Sequence, residues 1–210
     1  MKFLAFDTET SGLNEKTHSI LTAYFEVYDE NWKLLDSLDL YLKPDSGDIV
    51  AEAQALAVTG INIADHLKNP KTVTMSEGSK KLAALFQKHK IKGKRKHYRP
   101  FGQNITFDLR FIFAQLMSQE EWEGTVHYRP IDTLYITTFL QDIGYLPDDL
   151  GNLTSLVEHF NVPKGEAHNA QQDVKMTVSV YQAMKKMMKD KKTSILGISN
   201  HELLNIVEME

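Results

Sequence analysis

Three strand-like runs fill the first 42 residues, and they limit the possible folds more than any other feature. Residues 2–7 read as a buried strand. In residues 19–28, Leu21, Ala23, Phe25 and Val27 alternate with Thr22, Tyr24, Glu26 and Tyr28. Asp29-Glu30-Asn31 is a turn. In residues 33–42, Leu34, Leu38, Leu40 and Leu42 fall on one face of a strand, where side chains repeat every second position. Short spacing makes neighbouring runs hairpin partners and therefore antiparallel. The chain thus opens with a three-stranded meander.

After Pro44 the pattern becomes helical. A short helix is predicted over 51–57, ended by Gly60, followed by an irregular, polar and mobile surface segment over 61–75. Residues 76–89 read as a helix, with Leu82, Leu85, Phe86 and His89 at helical spacing. A strand follows over 97–103, and Pro100 inside it predicts an edge or a bulge. A helix over 104–117 carries the stripe Leu109, Ile112, Phe113 and Leu116. Next come a short strand over 126–131 and a helix over 132–141. Asn152 is the expected N-cap of a helix carrying Leu153, Leu156, Val157 and Phe160. Beyond the Pro163-Lys164-Gly165 break, a long helix over 169–189 has Val174, Val178, Tyr181 and Met188 on its seam. Met184, Met187 and Met188 read as core filling. The predicted fold class is α/β: a mixed sheet of three antiparallel N-terminal strands and then parallel ones, with helices on both faces. Residues 1–190 form the expected domain, and residues 191–210 a short amphipathic segment packed on it or extending from it.

Composition removes several kinds of chemistry. Cysteine is absent, which leaves no disulfide, thiolate nucleophile or cysteine-based zinc site. The formal net charge of −4 argues against broad coating of nucleic acid, though it permits a local basic patch. No apolar run approaches the length of a membrane span. The apolar N-terminus meets Asp7 and Glu9 too soon for a signal peptide, so a cytoplasmic location is the default expectation.

Three stretches carry candidate chemistry. Asp7 and Glu9 end the first strand, one residue apart, and share a face if the strand continues. Two carboxylates there repel unless a cation sits between them, and hard oxygen ligands suit Mg²⁺ or Mn²⁺. Taken alone, Asp-x-Glu is common by chance and reads as a solvated strand end. In the second stretch, Asn104 and Asp108 share a face if a helix has begun by Asn104. Asn104 is otherwise an N-cap, and Asp108 a first-turn residue favoured by the helix dipole. In the third, His168 falls in a loop or first turn. Asp173 lies beside the apolar seam at Val174, where an inward carboxylate needs a partner. Lys94, Arg95 and Lys96 belong to a basic run over 88–99, which is either a phosphate-contacting loop or a solvated one.

Asp-x-Glu at Asp7, Asn-x-x-Phe-Asp from Asn104 to Asp108 and His-x-Ala-x-x-Asp from His168 to Asp173 together resemble the DEDDh 3′–5′ exonucleases. That family includes the DNA polymerase III epsilon subunit, ribonuclease T and oligoribonuclease. The resemblance covers roughly residues 2–185 and implies a ribonuclease H-like fold. It implies that Asp7, Glu9 and Asp173 hold one Mg²⁺ (or Mn²⁺) and that Asp7 and Asp108 hold a second. Two such ions hydrolyse a phosphodiester by positioning water and stabilising both reacting oxygens. His168 is then the general base, and the product a nucleoside 5′-monophosphate. Leu13 resembles a wedge against terminal bases, and Thr10 a contact to the terminal nucleotide. Asn104 is a further substrate contact. Asp132 resembles a recurring family residue and reads as a structural helix start. Gln103 and Thr59 stand where many members have histidine, which bears on substrate choice. The implied partner is the 3′ end of single-stranded nucleic acid, DNA first. The alternatives are RNA trimming, oligoribonuclease activity, or a proofreading or binding module attached to a polymerase.

Overall fold

The computed structural model describes residues 1–165 and 169–196. In chain order the elements are β1 (Lys2–Thr10), β2 (Ile20–Tyr28), β3 (Leu34–Lys43), α1 (Ala53–Thr59) and α2 (Ile63–Lys68). There follow β4 (Thr72–Thr74), α3 (Met75–Lys88), β5 (Tyr98–Gly102) and α4 (Ile105–Phe111), which runs into a π-helical turn over Ile112–Leu116. The chain continues through α5 (Gln119–Thr125), β6 (Ile131–Asp132), α6 (Thr133–Asp142), α7 (Leu153–His159) and α8 (Ala170–Leu196).

The six strands form one sheet in the order β4-β3-β2-β1-β5-β6. The meander is present: β1 pairs antiparallel with β2, and β2 with β3. The β1–β5, β3–β4 and β5–β6 pairs are parallel. This is the ribonuclease H-like mixed sheet.

β1 is apolar from Phe3 to Phe6 because both of its faces are covered. Leu4 and Phe6 join Leu82, Phe86, Phe111 and Trp122 on the side of α3, α4 and α5. Ala5 lies on the other side, with Tyr24, Tyr28, Phe101, Ala170 and Val174, under α8. The period of two therefore aims the odd-numbered residues, Asp7 and Glu9 included, at α8. Residues Met176, Val180 and Met184 of α8 pack instead with Leu140, Leu156 and Val157 of α6 and α7, and Met187 and Met188 add to that cluster. The methionines fill core, as their composition suggested.

Several boundaries differ from the sequence reading. Residues 61–75 are not irregular: they hold α2, the three-residue β4 and the start of α3. His66 of α2 is buried and its Nε2 lies 2.8 Å from the Leu42 carbonyl, which ties this segment to β3. Leu34 is exposed rather than on the core face. β5 is internal, not an edge. Pro100 is tolerated because β6 pairs only from Phe101, and the other contact is a bridge between Tyr98 and Val126. The strand expected over 126–131 shrinks to that bridge and β6, and α5 was not anticipated. The helix expected over 104–117 starts at Ile105 and changes to π geometry at Ile112. Asn152 does cap α7, accepting from the Ser155 amide. α8 passes residue 190 and runs to Leu196, while 197–210 lie outside the described residues. No described helix is long and apolar enough to cross a membrane.

Candidate metal centre

The carboxylates of Asp7, Glu9 and Asp173 converge, each offering an oxygen within 4.8 Å of the others. Strand period places the first two, and α8 delivers the third. Small residues at Ala5 and Ala170 let the helix start lie close to the sheet. Glu9 is only 8% exposed. Burial, followed by the charges of Asp173 and Asp108, pushes its pKa up to about 8. Burial and then Asp108, Glu9 and Asp173 hold Asp7 well above the usual carboxylate range. Crowded anions with raised pKa values are the state a cation relieves.

Asp108 reaches the site by another route. Gly102 ends β5 so tightly that a Cβ there would lie 2.2 Å from Ile105 and 3.0 Å from the Phe6 carbonyl. This close approach starts α4 directly beside β1. Asp108, 4% exposed, then accepts through Oδ1 from the Thr8 amide at 2.9 Å and the Thr8 hydroxyl at 2.6 Å. Burial raises its pKa to about 7 even though those hydrogen bonds favour the anion. Its charge acts on Asp7 and Glu9, but it is not one of the three carboxylates that meet.

Asn104 precedes the helix and does not share its face with Asp108. It sits in the left-handed region at φ 55° and makes no side-chain cap. Its amide is held by Asp132, whose carboxylate also accepts from Ile105 and Leu134. Asp132 thus caps α6 and pins the start of α4, the structural role its position suggested. Gln103 is turned to α6, where its Oε1 accepts from the Thr133 hydroxyl.

A cleft of about 230 Å³ opens beside Glu9, walled by Thr8, Thr10, Leu13, Val58 and Phe107. Leu13 is 69% exposed at its mouth. The Thr10 hydroxyl is used locally, donating to the Gly12 carbonyl at 2.8 Å. Val58 and Phe107 were not foreseen as site residues. The loop carrying Leu13 is gripped by Gln115 of the π-helical turn. Its Nε2 donates to the carbonyls of Glu15 and His18, and its Oε1 accepts from the Ile20 amide.

Lys94, Arg95 and Lys96 are not near this cleft. They precede β5, and the parallel register sets Tyr98 beside Lys2, at the far end of β1. From Lys2 to Glu9 is about 23 Å at a strand's ~3.3 Å rise. His168, the proposed base, lies outside the described residues.

A sequence model of the RNase T family, described as exonuclease, matches residues 4–181. No curated protein sequence matches the chain. Among solved structures, the fold is similar to E. coli exonuclease I in complex with a dT13 oligonucleotide, at TM-score 0.73 and 18% identity over 97% of this chain. It is similar to the zinc-bound E. coli exonuclease I–ssDNA complex at TM-score 0.74, 19% identity and 98% coverage. Exonuclease I from Methylocaldum szegediense follows at TM-score 0.69, 15% identity and 93% coverage. At these identities the likeness is one of fold. The chain spans 43–45% of the length of those proteins.

Proposed function

The chain belongs to the exonuclease family, in its DEDDh 3′–5′ branch, and we propose that it removes nucleoside 5′-monophosphates from the 3′ end of single-stranded DNA. The observation that carries this reading is the meeting of Asp7, Glu9 and Asp173 within 4.8 Å beside a cleft. An all-oxygen donor set fits a hard divalent cation, Mg²⁺ or Mn²⁺. In this reading those three residues hold one ion. Asp7 and Asp108, whose Oδ1 accepts from Thr8, would hold a second. Bound there, the ions acidify water and stabilise charge on the attacking and leaving oxygens.

The chain's own groups do the rest. Leu13, Val58 and Phe107 offer apolar walls to the terminal base. Thr10, on the wall of the cleft, contacts the terminal nucleotide, and Asn104 takes the further substrate contact that its motif implies. His168 takes the proton of the attacking water, as its motif implies. Single-stranded DNA is favoured over RNA because the fold is similar to exonuclease I structures solved with it.

The test is a single-stranded 20-mer, labelled at either end and offered in DNA and RNA form with Mg²⁺ or EDTA. Stepwise shortening from the 3′ end to 5′-monophosphates, dependent on Mg²⁺ and faster on DNA, is expected. Release of the 5′ label first, or full activity in EDTA, would refute the reaction. Faster loss of RNA would refute the substrate.

A further inference from the structure

A cationic surface at the β6 edge of the sheet has no part in the site above. There residues 96–99 and 125–129 run side by side: the His97 amide donates to the Thr125 carbonyl at 2.8 Å, and the His127 amide to the Tyr98 carbonyl at 2.8 Å. This gathers Lys96, Arg99, His127, Tyr128 and Arg129 on one strip. The His127 and Tyr128 rings stack, with centroids 4.8 Å apart and planes 16° from parallel. The Arg129 guanidinium lies 5.2 Å from the Tyr128 ring centroid. Tyr128 nonetheless remains 66% exposed. Slight burial, then Arg99, Arg129 and Lys96, hold the His127 pKa below its ordinary value. The cations therefore crowd one imidazole. Among the described residues none of the three forms a salt bridge.

Such a strip carries two unfavourable features at once: like charges held together and an exposed aromatic platform. A flexible polyanion with flat faces relieves both. Phosphates neutralise the cations and a base stacks on the ring. An acidic peptide would answer the charge alone. The position fits the same ligand. The segment 127–131 climbs to Asp132, which holds the Asn104 and Ile105 amides at the start of the helix carrying Asp108. Its lower end adjoins the basic run ending at Lys96. We propose that this edge is a docking strip for single-stranded nucleic acid. Tyr128 stacks a base while Lys96, Arg99 and Arg129 take phosphates several nucleotides 5′ of the terminal one. The identity of the strand rests on the exonuclease reading; the strip itself does not.

The experiment is fluorescence anisotropy of labelled dT4 and dT20 on the full chain in EDTA, over a salt series, with Tyr128→Ala and Arg129→Gln. Both side chains are exposed, so the fold is retained. dT20 affinity should fall about 5- to 10-fold in Tyr128→Ala, the lower range for loss of one stacked base. In Arg129→Gln the salt slope should flatten by about 0.7, one phosphate contact on a single strand. dT4, which can seat on the strip by itself, should bind the parent more weakly than dT20 and lose affinity in the same direction in both variants. Parental affinity of both oligomers in both variants would overturn the proposal. Competition by a poly-glutamate peptide that matches dT20 and ignores Tyr128→Ala would reduce the strip to a general anion surface and also overturn it. If Mg²⁺ supports no hydrolysis in the parent while the loss of binding in the variants is seen, the exonuclease reading fails and the strip stands.

Discussion

Asp7 and Glu9 take their chemistry from where β1 ends. A carboxylate that is buried beside others resists ionisation, and Glu9 accordingly reaches about 8. Its folded pKa lies above the unfolded value of 4.5, so the unfolded chain gives up its proton first as pH rises. No penalty exists below the unfolded pKa, and it is complete only above the folded one. Asp7 and Asp108 shift in the same direction. The metal-free protein should therefore melt at progressively lower temperature between about pH 5 and pH 8. Millimolar Mg²⁺, binding only the folded form, should reverse that loss at the upper end. Calorimetry in EDTA and in Mg²⁺ across this range checks both halves, and a flat metal-free profile would mean the carboxylates are not held together. Asp7→Asn removes one repelling charge. It should raise the metal-free melting temperature, abolish the Mg²⁺ response and abolish hydrolysis.

At the scale of elements, convergence depends on connections that periodicity reports only in part. The period of two was legible in β1, and with it the shared face of Asp7 and Glu9. The seam of α8 likewise pointed Asp173 inward. Short elements escaped: β4 has three residues and α2 six, too few for any period to register among polar neighbours. Glu26 escaped for another reason. Alternation assigns it to a polar face, but α8 covers that face, and the buried carboxylate is met by the hydroxyls of Tyr24 and Tyr28. The π-helical turn left no sequence signal either, yet it sets Gln115 against the loop bearing Leu13. Gln115→Ala frees two carbonyls and one amide there. It should cost about 1–3 kcal/mol of stability. It should also raise KM more than it lowers kcat, because Leu13 is held less firmly while the carboxylates are untouched. Chemical denaturation and steady-state kinetics separate the two effects. Asp132→Ala strips the acceptor from the Asn104, Ile105 and Leu134 amides, and should cost more, about 2–4 kcal/mol. Asp132→Asn keeps one acceptor oxygen and should recover part of that loss.

For the molecule as a whole, the site joins residue 7 to residue 173, and only the folded sheet with α8 across it makes them neighbours. The three motifs were readable separately; their meeting depended on topology that the strand order β4-β3-β2-β1-β5-β6 supplies. The same topology separates the carboxylates from the basic run at the opposite end of β1, which no linear reading could reveal. The cleft, in turn, bears on whether attack needs a free end. A cleft of about 230 Å³ beside Glu9 suits one terminal nucleoside better than a continuous strand passing through. A circular single strand offers no end and should persist, while its linear counterpart is degraded to mononucleotides. A 3′-phosphate should also block attack, and a 5′ block should not. His168→Ala divides the chemistry from the binding. Losing a general base should lower turnover by roughly 10²–10⁴. The Mg²⁺-induced rise in melting temperature should survive, since the ligands assigned here are Asp7, Glu9, Asp108 and Asp173. The parent and His168→Ala, compared on one linear and one circular substrate and by melting with and without Mg²⁺, give distinct outcomes. Cutting of the circle makes the enzyme an endonuclease, loss of the metal response makes His168 a ligand, and parental turnover removes it from the reaction.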